Sequence, residues 1–257
     1  NDWILNFKKN KSSEKIVFYS FWIDYTTLGA TLNKDNIVIS RAHNYDLYGT
    51  PNLNYYVPFL DTILTNLNLV FPDSFFGKDY IKSNFQKSKC KVGIMGVKDF
   101  NFATKASSDG VFRIVSCAYL ISRKRVELFL KALIHFCQNN KTIKIEWTHI
   151  GDGPEFEKIN NISNLKPDNC KINFLGSLNY NQMINFYKDN PIDLFVNTST
   201  KEGTPVSLME AICCSIPVMV TSFGGNIEIA KRSFGFLLSE NPSIDEISSK
   251  LREITAL

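Results

Sequence analysis

The feature that most constrains this chain is a repeated alternation of short apolar runs with segments of helical apolar spacing. Ile192-Asp-Leu-Phe-Val196 and Pro217-Val-Met-Val-Thr221 are short, apolar and bounded by proline or glycine, which is how a strand buried on both faces reads. Arg125 to Asn139 instead places Val126, Phe129, Leu130, Leu133 and Phe136 on one face of a helix. Further strands are expected at Lys15–Phe21, Asn36–Ser40, Leu69–Phe71, Lys91–Met95, Phe112–Cys117, Ile143–Ile150, Lys171–Leu175 and Gly235–Leu238. Helices are expected at 22–33, 59–68, from the cap Asp73-Ser74 to about Phe85, at 181–188 and at 226–231. Such alternation argues for an α/β protein of parallel sheets covered by helices. The stripe Tyr55, Tyr56, Phe59, Phe71, Phe75 and Phe76 reads as core. Residues 99–110 lack periodicity and end in a polar run, so they read as a linker between two domains, 1–106 and 107–257.

Composition narrows the chemistry. An apolar content of 44% and a formal charge of +4 are those of an ordinary globular chain. The charge permits anionic ligands or a membrane surface, identifies neither, and disfavours nucleic acid as a partner. The six cysteines form no C-x-x-C pair and lie mostly in apolar runs, so buried thiols in the reducing cytoplasm explain them best. Three histidines make a zinc site an unfavoured expectation. No apolar segment is long enough to span a bilayer, and the start, Asn1-Asp-Trp-Ile-Leu5, is not a signal peptide.

The most informative stretch is Asn197 to Ile212. It follows an apolar strand, passes through a polar loop and enters a helix near Pro205, a residue suited to a first helical turn. Glu202 lies in the loop and Glu210 on the helix, with Gly203 and the helix start between them. Free N–H groups and the positive end of the helix dipole at such a start receive anions. One acid before a phosphate cradle and one about two turns along it suit a ligand with a diphosphate in its middle and hydroxyls at both ends. A nucleotide sugar has that shape.

This stretch resembles the E-x7-E segment of retaining glycosyltransferases of the GT-B fold, the group 1 family of family-4 type. The rest of residues 111–254 follows the same order of motifs: Ser122-Arg-Lys-Arg125, Gly151-Asp-Gly-Pro154, Phe174-Leu-Gly176, Glu202 to Glu210, Pro217-Val218 and Gly224-Gly-Asn-Ile-Glu228. Each is weak alone; six in order are specific. Ser40-Arg-Ala-His-Asn-Tyr-Asp-Leu-Tyr48 resembles a loop of bacterial polysaccharide-assembly members. The resemblance implies two Rossmann-like domains, an acceptor-side one in 1–106 and a nucleotide-sugar donor-binding one in 107–257. The first is incomplete, because only about 105 residues precede the linker and no glycine-rich loop is visible. The sequence therefore reads as a fragment or a natural short form.

The implied activity is hexosyl transfer with retention, from a nucleotide-diphosphate sugar to a saccharide or lipid-linked saccharide of a bacterial surface polysaccharide such as capsule or lipopolysaccharide. No cofactor is implied. With no D-x-D present, a metal clamp is not suggested, and the leaving charge falls to cations and helix N–H groups. The resemblance gives Lys124 the diphosphate, with Arg123 or Arg125 nearby; a solvated basic turn is the alternative. Glu202 is given the donor sugar as a positioning and charge-stabilising group, and Glu210 the ribose. Gly203, Thr204, Pro205 and Val206 form the cradle. Gly151 and Gly153 read either as part of the donor site or as a purely structural turn, and His149 as a packed strand histidine. His43 either faces the donor sugar, as a histidine in a comparable loop of the family does, or is a surface residue.

Lys78, Lys82, Lys87, Lys89 and Lys91 either contact the inner face of the cytoplasmic membrane or form a solvated face. The competing functions are a nucleotide-sugar-binding remnant without catalysis and a GT-B-fold nucleotide-sugar epimerase.

Overall fold

Two parallel sheets organise the chain, one in each of two units, Asn1–Met95 and Gly96–Leu257. The computed structural model describes residues 16–48, 57–200, 202–231 and 235–257. The start of the chain and Tyr55 and Tyr56 lie outside these.

In the first unit the strands β1 (Val17–Ser20), β2 (Ile37–Ala42) and β3 (Leu69–Pro72) pair in that order, with Val17 opposite Ile37 and Ile39 opposite Leu69. The helix Tyr25–Thr31 starts where the Asp24 carboxylate accepts from the N–H groups of Thr26 and Thr27. The helix Phe75–Asn84 starts where the Ser74 hydroxyl accepts from the Gly77 N–H at 3.1 Å. Each cap satisfies donors that the first helical turn leaves free. Ile23, Val38, Ile63, Leu64, Val70 and Ile81 form the core.

Three details of this unit differ from the sequence reading. Arg41 and Ala42 continue β2 rather than opening a loop, because they pair with Phe71 and Pro72 of β3, and Asn44–Leu47 then makes one helical turn. Lys91–Met95 is not a strand. It runs beside β3, with Lys91 N–H donating to Val70 O and Gly93 N–H to Pro72 O, but the ladder goes no further. Phe59, Phe75 and Phe76 are exposed rather than core, each lying at a helix start.

The second unit contains β4 (Val111–Cys117), β5 (Lys144–Ile150), β6 (Cys170–Phe174), β7 (Leu194–Asn197), β8 (Val218–Thr221) and β9 (Gly235–Leu238). All pair in parallel, in the order β6-β5-β4-β7-β8-β9. Winding runs outward from β4 in one direction and from β7 in the other, so the two strands form a topological switch point. The helix Val126–Asn139 buries the predicted face, including Phe129, Leu133 and Phe136, against Trp147 and the final helix Ile244–Thr255. Val115, Tyr187, Phe195, Leu208 and Ala211 form the core on the other face.

The boundary falls before residue 96 rather than at 106, because the presumed linker is fastened to the second unit. Thr104 N–H donates to Cys214 O at 2.8 Å, and Ile192 N–H to Lys105 O at 2.9 Å. Phe100 and Phe102 pack against the second core. Among the described residues, no helix is long and apolar enough to cross a membrane.

Beneath the edge of β4 lies a buried relay. The Trp147 indole N–H donates to Ser116 Oγ at 3.0 Å, and Ser116 Oγ is 2.8 Å from His149 Nδ1. His149 Nε2 lies 3.1 Å from the Ala118 carbonyl, which only accepts. That fixes a neutral ring with its proton on Nε2. Burial pushes the His149 pKa down to about 4 from the ordinary 6.5. Above pH 6.5 both folded and unfolded chains are neutral here, so the full stability is present. As pH falls toward 4 the unfolded chain takes up the proton first, and folding weakens by about 3 kcal/mol. Urea unfolding across this range will show that loss in the wild type and a flatter profile in His149→Gln.

Candidate active site

The site is built where the loops after β4 and β7 meet at the switch point. After Cys117 the chain makes a 3-10 turn, Ser122–Lys124, and enters the helix Val126–Asn139. After Asn197 it runs through Thr198–Thr200 and Glu202–Pro205 into the helix Val206–Cys213. The two loops share backbone hydrogen bonds. Thr200 N–H donates to Arg123 O at 2.9 Å, and the Thr198 hydroxyl reaches the carbonyls of Lys124 and Arg125 at 3.2 and 3.1 Å.

This contact brings the predicted Lys124 and Glu202 together as an ion pair, both side chains mostly buried. Arg125 is placed otherwise than expected. It adopts the left-handed conformation, φ 51°, and its guanidinium donates to the carbonyls of Thr198, Ser199 and Glu240 and to Asn241 Oδ1. It therefore ties three loops together. Of the two arginines beside Lys124, Arg123 keeps a buried Nε with no acceptor.

Gly203, Thr204 and Pro205 are buried in the turn before the helix, and Val206 at its start is exposed. Pro205 is the cap residue and offers no side-chain acceptor, so the first N–H groups of this helix have no cap. The positive end of the helix thus lies four residues after Glu202, the partner of Lys124. Glu210, one turn further on, is buried and has no ion-pair or hydrogen-bond partner among the described residues. Burial raises its pKa. A buried carboxylate without a partner is costly, and a ligand that brings hydroxyl donors would relieve it.

Two glycine pairs brace the loops from below. A side chain at Gly151 (φ 135°) would put its Cβ 2.0 Å from the Ala118 carbonyl oxygen, and one at Gly153 would meet the backbone of Leu120. Leu120 N–H donates to Asp152 O at 2.8 Å. Gly151 and Gly153 thus support the Lys124 loop directly. A side chain at Gly225 would stand 2.1 Å from Gly203 O, and one at Gly224 2.3 Å from Glu202 O. The Gly-Gly pair was visible in the sequence, but not what lies against it.

His43 belongs to the first unit and is described within it. It is buried, with its ring between Phe21 and Trp22 at centroid distances of 4.7 and 4.5 Å. Neither ring nitrogen has a hydrogen-bond partner. Asp46 fixes the backbone around it, accepting from His43 N–H at 2.5 Å and from Ile23 N–H at 2.8 Å.

The sequence profile described as "Glycosyl transferases group 1" matches residues 97–256. The chain belongs to that family. Among curated relatives of this group 1 chain, the uncharacterized glycosyltransferase MJ1178 of Methanocaldococcus jannaschii is 27% identical over 134 residues, which cover 52% of this chain and 35% of that protein. The O-antigen biosynthesis glycosyltransferase WbnH of Escherichia coli is 39% identical over 83 residues, 32% of this chain and 22% of WbnH. The match therefore spans about a third or less of those relatives. The structure of Anabaena Alr3699/HepE, in complex with UDP and glucose, superposes with a TM-score of 0.69 at 16% identity, covering 98% of this chain and 71% of that one. The fold is GT-B, of which this chain covers part.

Because Ala118 and Gly203 are backbone neighbours that cannot move aside cheaply, Gly151→Ala and Gly225→Ala are each expected to cost about 2–4 kcal/mol. Calorimetric unfolding will show this as a fall of several degrees in Tm.

Proposed function

We propose that this protein transfers a sugar from a nucleoside-diphosphate sugar to a saccharide or lipid-linked saccharide acceptor, with retention of configuration and without a metal ion. One observation carries the reading. An uncapped helix start follows, four residues on, the glutamate of a lysine–glutamate pair, and a buried, unpartnered glutamate stands one turn beyond it. The family supplies the reaction class, and the UDP and glucose held by HepE and the O-antigen role of WbnH agree with the proposed donor and acceptor.

In this mechanism the diphosphate lies against the N–H groups of Val206 and its neighbours, with Gly203, Thr204 and Pro205 shaping the turn. Lys124, assisted by Arg123, neutralises the charge that grows on the leaving oxygen, where fixed charge lowers the barrier most. Glu202 grips the sugar hydroxyls and stabilises positive charge at the anomeric carbon, while the acceptor enters on the face the diphosphate leaves. Glu210 accepts hydrogen bonds from the ribose. The acceptor hydroxyl gives its proton to the departing diphosphate oxygen as the new glycosidic bond forms, and His43 faces the donor sugar. The protein works in the cytoplasm, and its exposed Lys82, Lys87, Lys89 and Lys91 attract it to anionic inner-membrane lipids.

Titration with UDP, GDP, ADP and TDP is expected to show selective binding of one of them, weakened about ten- to hundredfold in Glu210→Ala. Failure to bind any of the four overturns the reading. Lys124 is paired with Glu202, so the two variants should differ in sign. Lys124→Met weakens diphosphate binding, whereas Glu202→Gln frees the lysine and tightens it several-fold while slowing transfer. His43→Ala should keep nucleotide affinity and lose turnover, and chelation with EDTA should leave turnover unchanged. Co-sedimentation with anionic liposomes tests the membrane contact.

A further inference from the structure

The donor site depends on where the helix Val206–Cys213 stands, because that helix carries both the uncapped start and Glu210. Its two ends are held differently. At the start, the backbone of Gly203 lies directly against Gly225. The other end comes one turn after Glu210, where the cap residue Cys214 returns its N–H to the Glu210 carbonyl at 3.1 Å. A helix end leaves its last carbonyls without donors from the helix itself, and buried ones need a partner from elsewhere.

Thr104 is such a partner twice over. Its N–H donates to the Cys214 carbonyl at 2.8 Å. Its hydroxyl donates to the Tyr187 carbonyl, in the last turn of the helix Tyr180–Asp189, also at 2.8 Å. The residue that would serve Tyr187 in a continuing helix is Pro191, which has no N–H. One threonine thus closes the carboxyl ends of two helices. Those ends share a core, since Tyr187, Cys214 and Ala211, the neighbour of Glu210, are all buried in it. The stretch around Thr104 is seated by further contacts. The Cys213 thiol donates to the Lys98 carbonyl at 3.4 Å, Phe102 packs on the same core, and Ile192 N–H donates to Lys105 O at 2.9 Å.

We infer that Thr104 is a positioning residue for donor binding: by joining the two helix ends it sets where Glu210 meets the ribose. The inference rests on the donor reading given above. Two hydrogen bonds lead from Thr104 to the main chain of Glu210, through the carbonyl and then the N–H of Cys214. The hydroxyl fixes Thr104 itself to the neighbouring helix. Without it the Tyr187 carbonyl is left unpaired, and the N–H that holds Cys214 loses its anchor. The Glu210 side chain makes no hydrogen bond among the described residues, so its helix alone determines where it stands. Hydrogen bonds to a ligand tolerate only a few tenths of an ångström in distance, so a small shift of this helix end weakens them.

The test titrates wild type, Thr104→Val, Thr104→Ser, Glu210→Ala and the double variant of Thr104→Val with Glu210→Ala, using the preferred nucleoside diphosphate and inorganic pyrophosphate. Valine keeps the shape and the backbone N–H of threonine but not the hydroxyl, and serine keeps the hydroxyl. Thr104→Val should bind the nucleoside diphosphate about three- to tenfold more weakly, the scale of one lost hydrogen bond. Thr104→Ser should bind as the wild type does. Pyrophosphate, which reaches the helix start but not Glu210, should bind wild type and Thr104→Val alike. Because Thr104 acts through Glu210, the double variant should bind no more weakly than Glu210→Ala. Full nucleotide affinity in Thr104→Val, beside a weakened Glu210→Ala, overturns the positioning role and leaves the donor site standing. So do additive losses in the double variant, a Thr104→Ser as weak as Thr104→Val, or equal weakening of pyrophosphate. A Glu210→Ala that binds like wild type, or a wild type that binds no nucleoside diphosphate, overturns both readings.

Discussion

The contact between the loops after β4 and β7 determines what the second unit can present at its sheet edge. A parallel sheet wound outward from two central strands leaves a crevice between their ends, and nothing in the sheet itself fixes the loops that border it. Here the fixing is done by polar backbone contacts. Thr200 reaches Arg123, Thr198 reaches Lys124 and Arg125, and the Arg125 guanidinium reaches back to Thr198 and Ser199. Arg125 sits in a left-handed conformation that costs a non-glycine residue about 1–2 kcal/mol. Its four hydrogen bonds offset that cost. Glycines 151 and 225 close the arrangement from below, by allowing backbone to approach where no Cβ fits. Lys124 and Glu202 are thus held on loops tied to one another by backbone hydrogen bonds.

The two glutamates at the helix start occupy opposite electrostatic situations. Glu202 has its charge matched by Lys124. Glu210 is buried without a cation, and burial alone raises its pKa. Carboxylates in contrasting environments take different roles. The unmatched one gains most from a partner that donates hydrogen bonds to it. Lys124 and Glu202 thus satisfy each other within the site, whereas Glu210 is buried with no cation beside it among the described residues.

Much of this was legible in the sequence because period and punctuation carry it. The strands of the second unit, the buried face of Val126–Asn139 and the helix start at Pro205 follow from apolar spacing and breakers. The loop from Glu202 to Glu210 was legible because its residue types are placed by the backbone geometry they need. Contacts between segments distant in sequence were not legible. Arg125 reads as a solvent or ligand cation because its acceptors, at 198, 199, 240 and 241, are main-chain or remote groups. Residues 99–110 read as a linker because their ties are single backbone hydrogen bonds and two phenylalanines, too few to give a period. Exposed Phe59, Phe75 and Phe76 read as core because aromatic content alone does not say which side of a helix faces the sheet.

The first unit repeats the same device on a smaller scale. Its loops after the neighbouring strands β1 and β2 are joined by one buried acid, Asp46, which accepts from Ile23 N–H in one and His43 N–H in the other. The acid's oxygens satisfy backbone donors that would otherwise be buried without partners. His43 Nδ1 lies 3.8 Å from Asp46, too far for a hydrogen bond. The consequence is a histidine whose position is fixed through its backbone and two flanking rings, while both ring nitrogens stay uncommitted. A buried imidazole that served only packing would lower its energy by pairing a nitrogen with a neighbour, as His149 does with Ser116 and Ala118. The two histidines thus stand in contrast, one fully paired within a sheet and one held with its nitrogens open at a strand end.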